Sequence, residues 1–332
     1  MKKLHTLNLI PVLILTLLCS FTIAQDDDGD LGTDKLAQTG MKFLSFSPDA
    51  RAAALGDAVT AKTGGASSLF YNPAGMARLE GMNLSAGQAN WIAGITYNAF
   101  SVAYASDAGV FGVSVMNVDY GEIQGTIRSS NTAGYTDTEL FTPTANVVGI
   151  GYAIAPTDRF SVGGQVKFVN EKLGNAYLET GGSVEGIETL DMDAVAYDFG
   201  LMYQMNWKNL MIAMSARNFS ESLKYSEEAF ELPLTFRMGV AGDLMENLSV
   251  SFVNERPRDY FSTTRVGFEY NLMDMLALRA GYVTPTDEAG INLGVGFQVA
   301  GFSVDVAYTC LLYTSDAADE GLGVDLGGRR II

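Results

Sequence analysis

Histidine occurs once in the 332 residues, cysteine twice and proline eight times, and Lys+Arg reach only 21 against 38 Asp+Glu. The formal charge of −17 leaves nothing to neutralise a run of phosphates, which excludes a nucleic-acid partner. Beyond the N-terminal segment, no stretch approaches the ~18 consecutive apolar residues of a spanning helix. The one histidine, His5, and one of the cysteines, Cys19, lie in that segment. There Lys2 and Lys3 precede an apolar run from Leu7 to Leu18, and Thr22-Ile23-Ala24 offers the small residues a signal peptidase reads. Residues 1–24 are therefore predicted to be a cleaved signal peptide. Leu18 stands where a lipoprotein needs a small residue before Cys19, which argues against lipidation. Losing Lys2 and Lys3 takes the charge from −17 to −19. Losing His5 removes every Ser–His, Cys–His and His–zinc arrangement, and Cys310 is left without a disulfide partner. Carboxylate pairs remain, but too many to single one out. The chain reads as an exported non-enzyme without cofactor or metal.

What is plentiful is glycine and aromatics, with 36 Gly, 18 Phe and 15 Tyr, a composition suited to many strands. Five segments alternate cleanly: residues 160–168, 195–205, 232–240, 266–272 and 291–299. In the third, Leu232, Leu234, Phe236, Met238 and Val240 alternate with Pro233, Thr235, Arg237 and Gly239. A period of two is a strand with one greasy and one polar face. The pattern predicts thirteen strands: 82–90, 95–105, 109–119, 144–155, 158–170, 193–205, 208–218, 231–243, 247–254, 263–272, 275–284, 289–299 and 302–308. Tight turns such as Ser106-Asp107-Ala108, Pro156-Thr157 and Ala300-Gly301 alternate with longer links at 120–143, 171–192, 219–230, 255–262 and 285–288. That rhythm separates an outer-membrane barrel from a soluble sandwich.

The fold class is thus all-β, an antiparallel transmembrane β-barrel over residues 82–309 in contact with outer-membrane lipid. Tyr120, Tyr152, Phe160, Tyr203, Trp207, Tyr260, Tyr282 and Tyr308 fall near strand ends, where interfacial girdles lie. Val162, Phe168, Phe199, Phe236, Phe268 and Phe297 are expected to face lipid, and Arg237, Glu269 and Gln298 the lumen. Arg159, Lys167, Asp198, Arg265, Arg279 and Asp305 share the polar faces, where structural pairing is the simplest role. Gly163-Gly164 is the best candidate for a strand break that would open a side exit, although glycine also relieves crowding in barrels.

Upstream, Asp26-Asp27-Asp28-Gly29-Asp30 lacks the spaced ligands and closing Glu of an EF-hand, and residues 25–46 read as a flexible mature N-terminus. Ser47-Pro48 reads as a helix start over Asp49–Leu55 stopped by Gly56, and Asn72-Pro73-Ala74 repeats that logic. Residues 47–81 are expected to form a hatch-like segment inside or beneath the barrel.

Ser47-Pro48-Asp49-Ala50-Arg51-Ala52-Ala53-Ala54-Leu55-Gly56-Asp57-Ala58, followed by Ala66-Ser67-Ser68-Leu69-Phe70-Tyr71-Asn72-Pro73-Ala74-Gly75, resembles the start of the PorV/PorQ family. These are outer-membrane proteins of the wider FadL-like class, typical of Bacteroidetes. The resemblance implies a fourteen-stranded barrel with an N-terminal hatch, whose motif here comprises Arg51, Gly56, Asp57, Asn72, Pro73 and Ala74. For PorV-like members it implies service in type IX secretion, with secretion-machinery proteins and exported cargo as partners. FadL relatives instead carry hydrophobic small molecules, and a structural surface barrel is a third possibility. The end of the chain departs from this pattern. From Cys310-Leu311-Leu312-Tyr313-Thr314-Ser315 onward, residues 310–332 resemble a translated sequencing adapter. Because bacterial single-chain barrels have even strand numbers, that tail is expected to stand where a fourteenth strand belongs.

Overall fold

A computed structural model describes residues 39–180, 183–224, 229–273, 275–285 and 289–311. The expected signal peptide, the aspartate run and the tail from 312 onward lie outside the described residues. Among the described residues, seventeen strands follow position 81: β1 (Met82–Asn90), β2 (Thr96–Ser106), β3 (Gly109–Asp119), β4 (Ile123–Arg128), β5 (Tyr135–Phe141), β6 (Thr144–Ile154), β7 (Phe160–Thr180), β8 (Ser183–Gln204) and β9 (Met211–Phe219). After these come β10 (Leu223–Lys224), β11 (Ala229–Phe230), β12 (Thr235–Met245), β13 (Leu248–Pro257), β14 (Thr263–Leu272), β15 (Leu276–Thr284), β16 (Ala289–Val299) and β17 (Phe302–Leu311). Thirteen of them form one antiparallel sheet in the order β1-β2-β3-β6-β7-β8-β9-β12-β13-β14-β15-β16-β17, while β4–β5 and β10–β11 are separate hairpins in long links. Among the described residues, no helix is long and apolar enough to cross a membrane.

The two faces separate as the alternation requires. Phe168, Phe199, Phe236, Phe268 and Phe297 are exposed on the exterior, whereas Arg237 and Glu269 are buried on the interior. An Arg at mid-bilayer costs ~2–4 kcal/mol. Phe236→Arg is therefore expected to reduce the heat-modifiable, membrane-inserted fraction severalfold, while Phe236→Leu leaves it unchanged.

Three strands depart furthest from their expected bounds. β7 and β8 run for 21 and 22 residues, so most of 171–192, read from sequence as a loop, is a paired ribbon. β12 starts at Thr235 rather than 231. Pro233 has no N–H to give a ladder, and Leu232 and Leu234 turn inward at 0% and 8% exposure instead of meeting lipid.

Among the described residues, β1 pairs with β2 alone and β17 with β16 alone, so each presents one edge without a described partner. The pairing of β17 continues to Leu311, which sits opposite Ala289.

Candidate functional site: the lumen and its hatch

Residues 39–81 pass through the lumen from one rim to the other. Thr39 bridges Glu231 and bonds Asp259, both in links at the long-loop rim. Gly81 ends the segment at the opposite rim, where its carbonyl accepts from Ala105 beside the β2–β3 turn. The first stretch corrects the sequence reading. Residues 39–46, assigned to a flexible leader, include a 3-10 turn at Lys42–Ser45 with Phe43 and Leu44 buried. They share a core with Met116, Val118, Val147 and Val169 of the wall. Phe46 stacks on Tyr97, with ring centroids 3.7 Å apart.

Asp259 anchors this strap. Its carboxylate accepts from Thr39 Oγ1 at 2.5 Å and Lys42 Nζ at 2.7 Å. Burial pushes its carboxyl up, but the bonds from Lys42 and Thr39 outweigh that and hold it below the ordinary carboxylate value. The folded state thus favours the charged form, and the stabilisation is complete above the unfolded value of about 4 and fades as pH falls through the lowered one. Limited proteolysis near residues 39–46 should stay slow from pH 8 to 5 and accelerate only below about pH 4. Asp259→Asn should abolish that pH dependence.

The helix α1 (Ala50–Ala54) is capped by Asp49, whose side chain accepts from Ala52 N. This corrects the expectation at Ser47-Pro48. Ser47 Oγ instead lies 2.6 Å from the Tyr71 hydroxyl, which also accepts from Asp49 N at 3.2 Å. Gly56 and Asp57 follow in the left-handed region with φ of 62° and 60°, ending the helix.

Asn72 behaves as the sequence suggests. Its side chain accepts from Ala74 N at 3.1 Å, capping the 3-10 turn Pro73–Met76. Its amide also donates to Thr60 O at 3.1 Å, joining two distant parts of the hatch. Glycines on the wall make room for it. A Cβ at Gly200 would collide with Asn72 Oδ1, and one at Gly163 would lie 2.6 Å from Ala74 N. Gly163-Gly164 is therefore no strand break, because β7 pairs without interruption from Val162 to Lys172 on both sides. Gly281 plays the same part for α1, since a Cβ there would strike the Leu55–Gly56 peptide.

Ion pairs complete the lock. Glu269 accepts from Arg51 Nε and Nη2 at 2.9 and 3.1 Å, and from Arg279 Nε at 2.7 Å; Lys62 Nζ lies 3.1 Å from its other oxygen. Arg279 Nη1 reaches Asp305 at 2.6 Å. Arg265 Nη1 donates to Gly56 O at 3.1 Å and lies 3.6 Å from Asp57, while its Nη2 binds Glu255 at 3.0 Å. Arg237 Nη2 meets Glu255 at 2.5 Å. Lys167 Nζ sits 2.7 Å from Asp198 and also donates to Asn218. Of the eight charged residues expected in the lumen, seven take part in these ion pairs. Arg159 is the exception: it shares their parity but lies past the end of β7, exposed in the short turn.

Sequence reasoning missed Lys62, Arg217, Asn218 and Glu255. The predicted strand stopped at 254, one residue before Glu255. Between β8 and β9 the register shifts by one, and Asn218 adopts φ 61°, so that Arg217 and Asn218 both turn inward. Their side chains reach the Leu44 carbonyl at 3.3 and 3.5 Å, tying the wall to the strap. Only the positive-φ tolerance of Asn hinted at this.

A cavity of about 20 Å³ lies between Leu44, Phe46, Leu69 and the Lys167–Asp198 pair, room for roughly one water. At the short-turn rim, a polar well of about 260 Å³ opens beside Arg51, Glu269, Arg279, Gln298 and Asp305.

No family model and no curated protein matches the chain. Solved structures do. The toluene transporter TodX of Pseudomonas putida aligns at TM-score 0.53 and 12% identity, over 78% of this chain and 91% of its own. The CymD monoaromatic hydrocarbon channel aligns at TM-score 0.51 and 14% identity, over 80% and 93%. A Pseudomonas aeruginosa FadL homologue aligns at TM-score 0.50 and 12% identity, over 80% and 89%. At such identity the likeness is one of architecture: the chain has the fold of FadL-type barrels.

Proposed function

We propose that the protein is an outer-membrane channel for small hydrophobic molecules, with residues 39–81 as its gate. The observation that carries this reading is a FadL-type wall whose lumen is filled by a segment held through side chains and close glycine contacts. The wall offers an apolar exterior, and the cavity beside the strap is too small for any hydrocarbon until the hatch moves. Passage then requires displacement of the strap or of the Asn72 and Arg51 contacts. From the sequence this reading stood second to type IX secretion, and the similar structures reverse that order. PorV/PorQ membership, secretion-machinery partners and exported cargo rest on the resemblance of residues 47–75 alone.

The gate can be locked. A Cβ at Gly239 would lie 3.1 Å from Thr60 Cβ, close to the ~3.5–4.5 Å that a disulfide spans. In a Cys310→Ser background, Thr60→Cys/Gly239→Cys should cross-link hatch to wall on oxidation. Toluene uptake by proteoliposomes should fall at least tenfold when oxidised and recover on reduction. Uptake that ignores the redox state would remove the gate, and no uptake above empty liposomes by the unmodified protein would remove the channel.

A further inference from the structure

On the exterior of the wall, just below the long-loop rim, six cross-strand neighbours make an unbroken polar row. Gln88, Asn98, Asn117, Asn146, Asn170 and Asp193 stand opposite one another in turn across β1, β2, β3, β6, β7 and β8. Asn117 Nδ2 donates to Asn146 Oδ1 at 2.8 Å, and Asn170 Nδ2 to Asp193 Oδ1 at 2.8 Å. The next outward row toward the middle of the wall is apolar throughout, with Phe100, Val115, Val148, Phe168 and Val195 in register. The next row toward the rim carries Asp119, Lys172 and Asp191. Three successive rows thus step from hydrocarbon-like through amide to charged, the profile of a bilayer boundary.

A cleft of about 660 Å³ opens on that boundary. Asn146, Asn170 and Asp193 form its upper wall, Val148, Phe168, Val195 and Tyr197 its floor, and Glu221 and Leu223 border it from the link after β9. We propose that this cleft binds a membrane lipid with a neutral, polyhydroxylated headgroup, the chemistry of a glycosyl diacylglycerol.

The charge distribution selects the headgroup. Among the described residues no Lys or Arg lines the cleft, while Asp193 and Glu221 do, so a lipid phosphate would meet repulsion there and no bidentate donor. Amides offer both N–H donors and a carbonyl acceptor, as hydroxyl groups require. Asn146 uses its oxygen in the row, which leaves its NH₂ to donate, and Asn170 uses its NH₂, which leaves its oxygen to accept. The two neighbours therefore present a donor and an acceptor side by side. The floor beneath continues into the apolar band, where an acyl chain buries surface at about 25 cal/mol per Å². This inference rests on the membrane placement proposed above but not on what passes through the lumen.

The test is lipid retention by native mass spectrometry. Folded, heat-modifiable protein in detergent is offered equimolar monoglucosyl diacylglycerol and phosphatidylglycerol with identical acyl chains. One glucosyl lipid should be retained with at least fivefold preference. Asn146→Ala/Asn170→Ala should cut that preference to below twofold while the protein stays heat-modifiable. Asp193→Lys should swing retention toward phosphatidylglycerol. Equal retention of both lipids by the unmodified protein, or undiminished preference in the double variant, overturns the lipid site and leaves the channel standing. A chain that remains monomeric in water without detergent overturns both.

Discussion

Replacing Glu269 with Gln should destabilise the folded protein by about 3 kcal/mol, because it removes a buried carboxylate shared by the buried Arg279 and the partly buried Arg51 and Lys62. Arg51 and Lys62 from the hatch and Arg279 from the wall all converge on this one carboxylate, whose side chain is 7% exposed. Asp305 is bonded to Arg279, so among the described residues neither hatch cation keeps an ion pair, and Arg51 retains its bond to the Lys62 carbonyl. The measurement is the urea midpoint of the heat-modifiable band, with proteolysis of residues 47–81 as a second readout. Arg51→Gln alone should cost less, since Lys62 and Arg279 still neutralise Glu269. Combined with Glu269→Gln it should add little, because both changes remove the same contact. A midpoint shift equivalent to less than ~0.5 kcal/mol in Glu269→Gln would mean that the glycine contacts alone hold the hatch.

The second large effect concerns the edges of β1 and β17 that have no partner among the described residues. Each unpaired N–H or C=O in hydrocarbon costs several kcal/mol, and an edge of about ten residues presents several such groups. A strand pairing with both edges should therefore raise the yield of inserted barrel by an order of magnitude or more. A ten-residue segment alternating apolar and polar, joined after Leu311 through a short turn in place of the tail, supplies it. Insertion into liposomes, scored by heat-modifiable mobility with and without this segment, gives the comparison. Equal yields would show that β1 and β17 find each other directly in the bilayer.

Much of the wall was legible because lipid on one side and the hatch on the other impose a period of two that survives in the residues themselves. Arg237 and Glu269 were placed on the interior, and Phe236 and Phe268 on the exterior, from parity alone. Parity failed where the backbone stopped being regular. Pro233 turned Leu232 and Leu234 inward, the turn before Phe160 carried Arg159 out, and the bulge at Arg217–Asn218 gave two inward residues in succession. The hatch was placed through its resemblance, and its capping logic was right at Asn72 and two residues early at Ser47. Its contacts were hidden for a different reason. Arg51 finds Glu269 218 residues away, and the use of Gly200 and Gly281 is visible only once Asn72 and Leu55 are seated against them. Residues 39–46 resembled a leader because a strap of eight residues is too short to show a period.

A segment that runs from rim to rim inside a wall made of later residues has a consequence for assembly. Lys42 and Arg51 are synthesised early, yet their partners Asp259 and Glu269 come more than two hundred residues afterwards. Those loops can close only when the last third of the sheet arrives, which places the enclosing step late and makes it slow. Until then Phe43, Leu44, Leu55 and Leu69 have no wall to cover them, and folding amounts to wrapping a sheet around a core that waits for it. Variants that weaken the hatch should therefore be detected first as chains held by periplasmic chaperones, before any defect is measurable in the finished barrel.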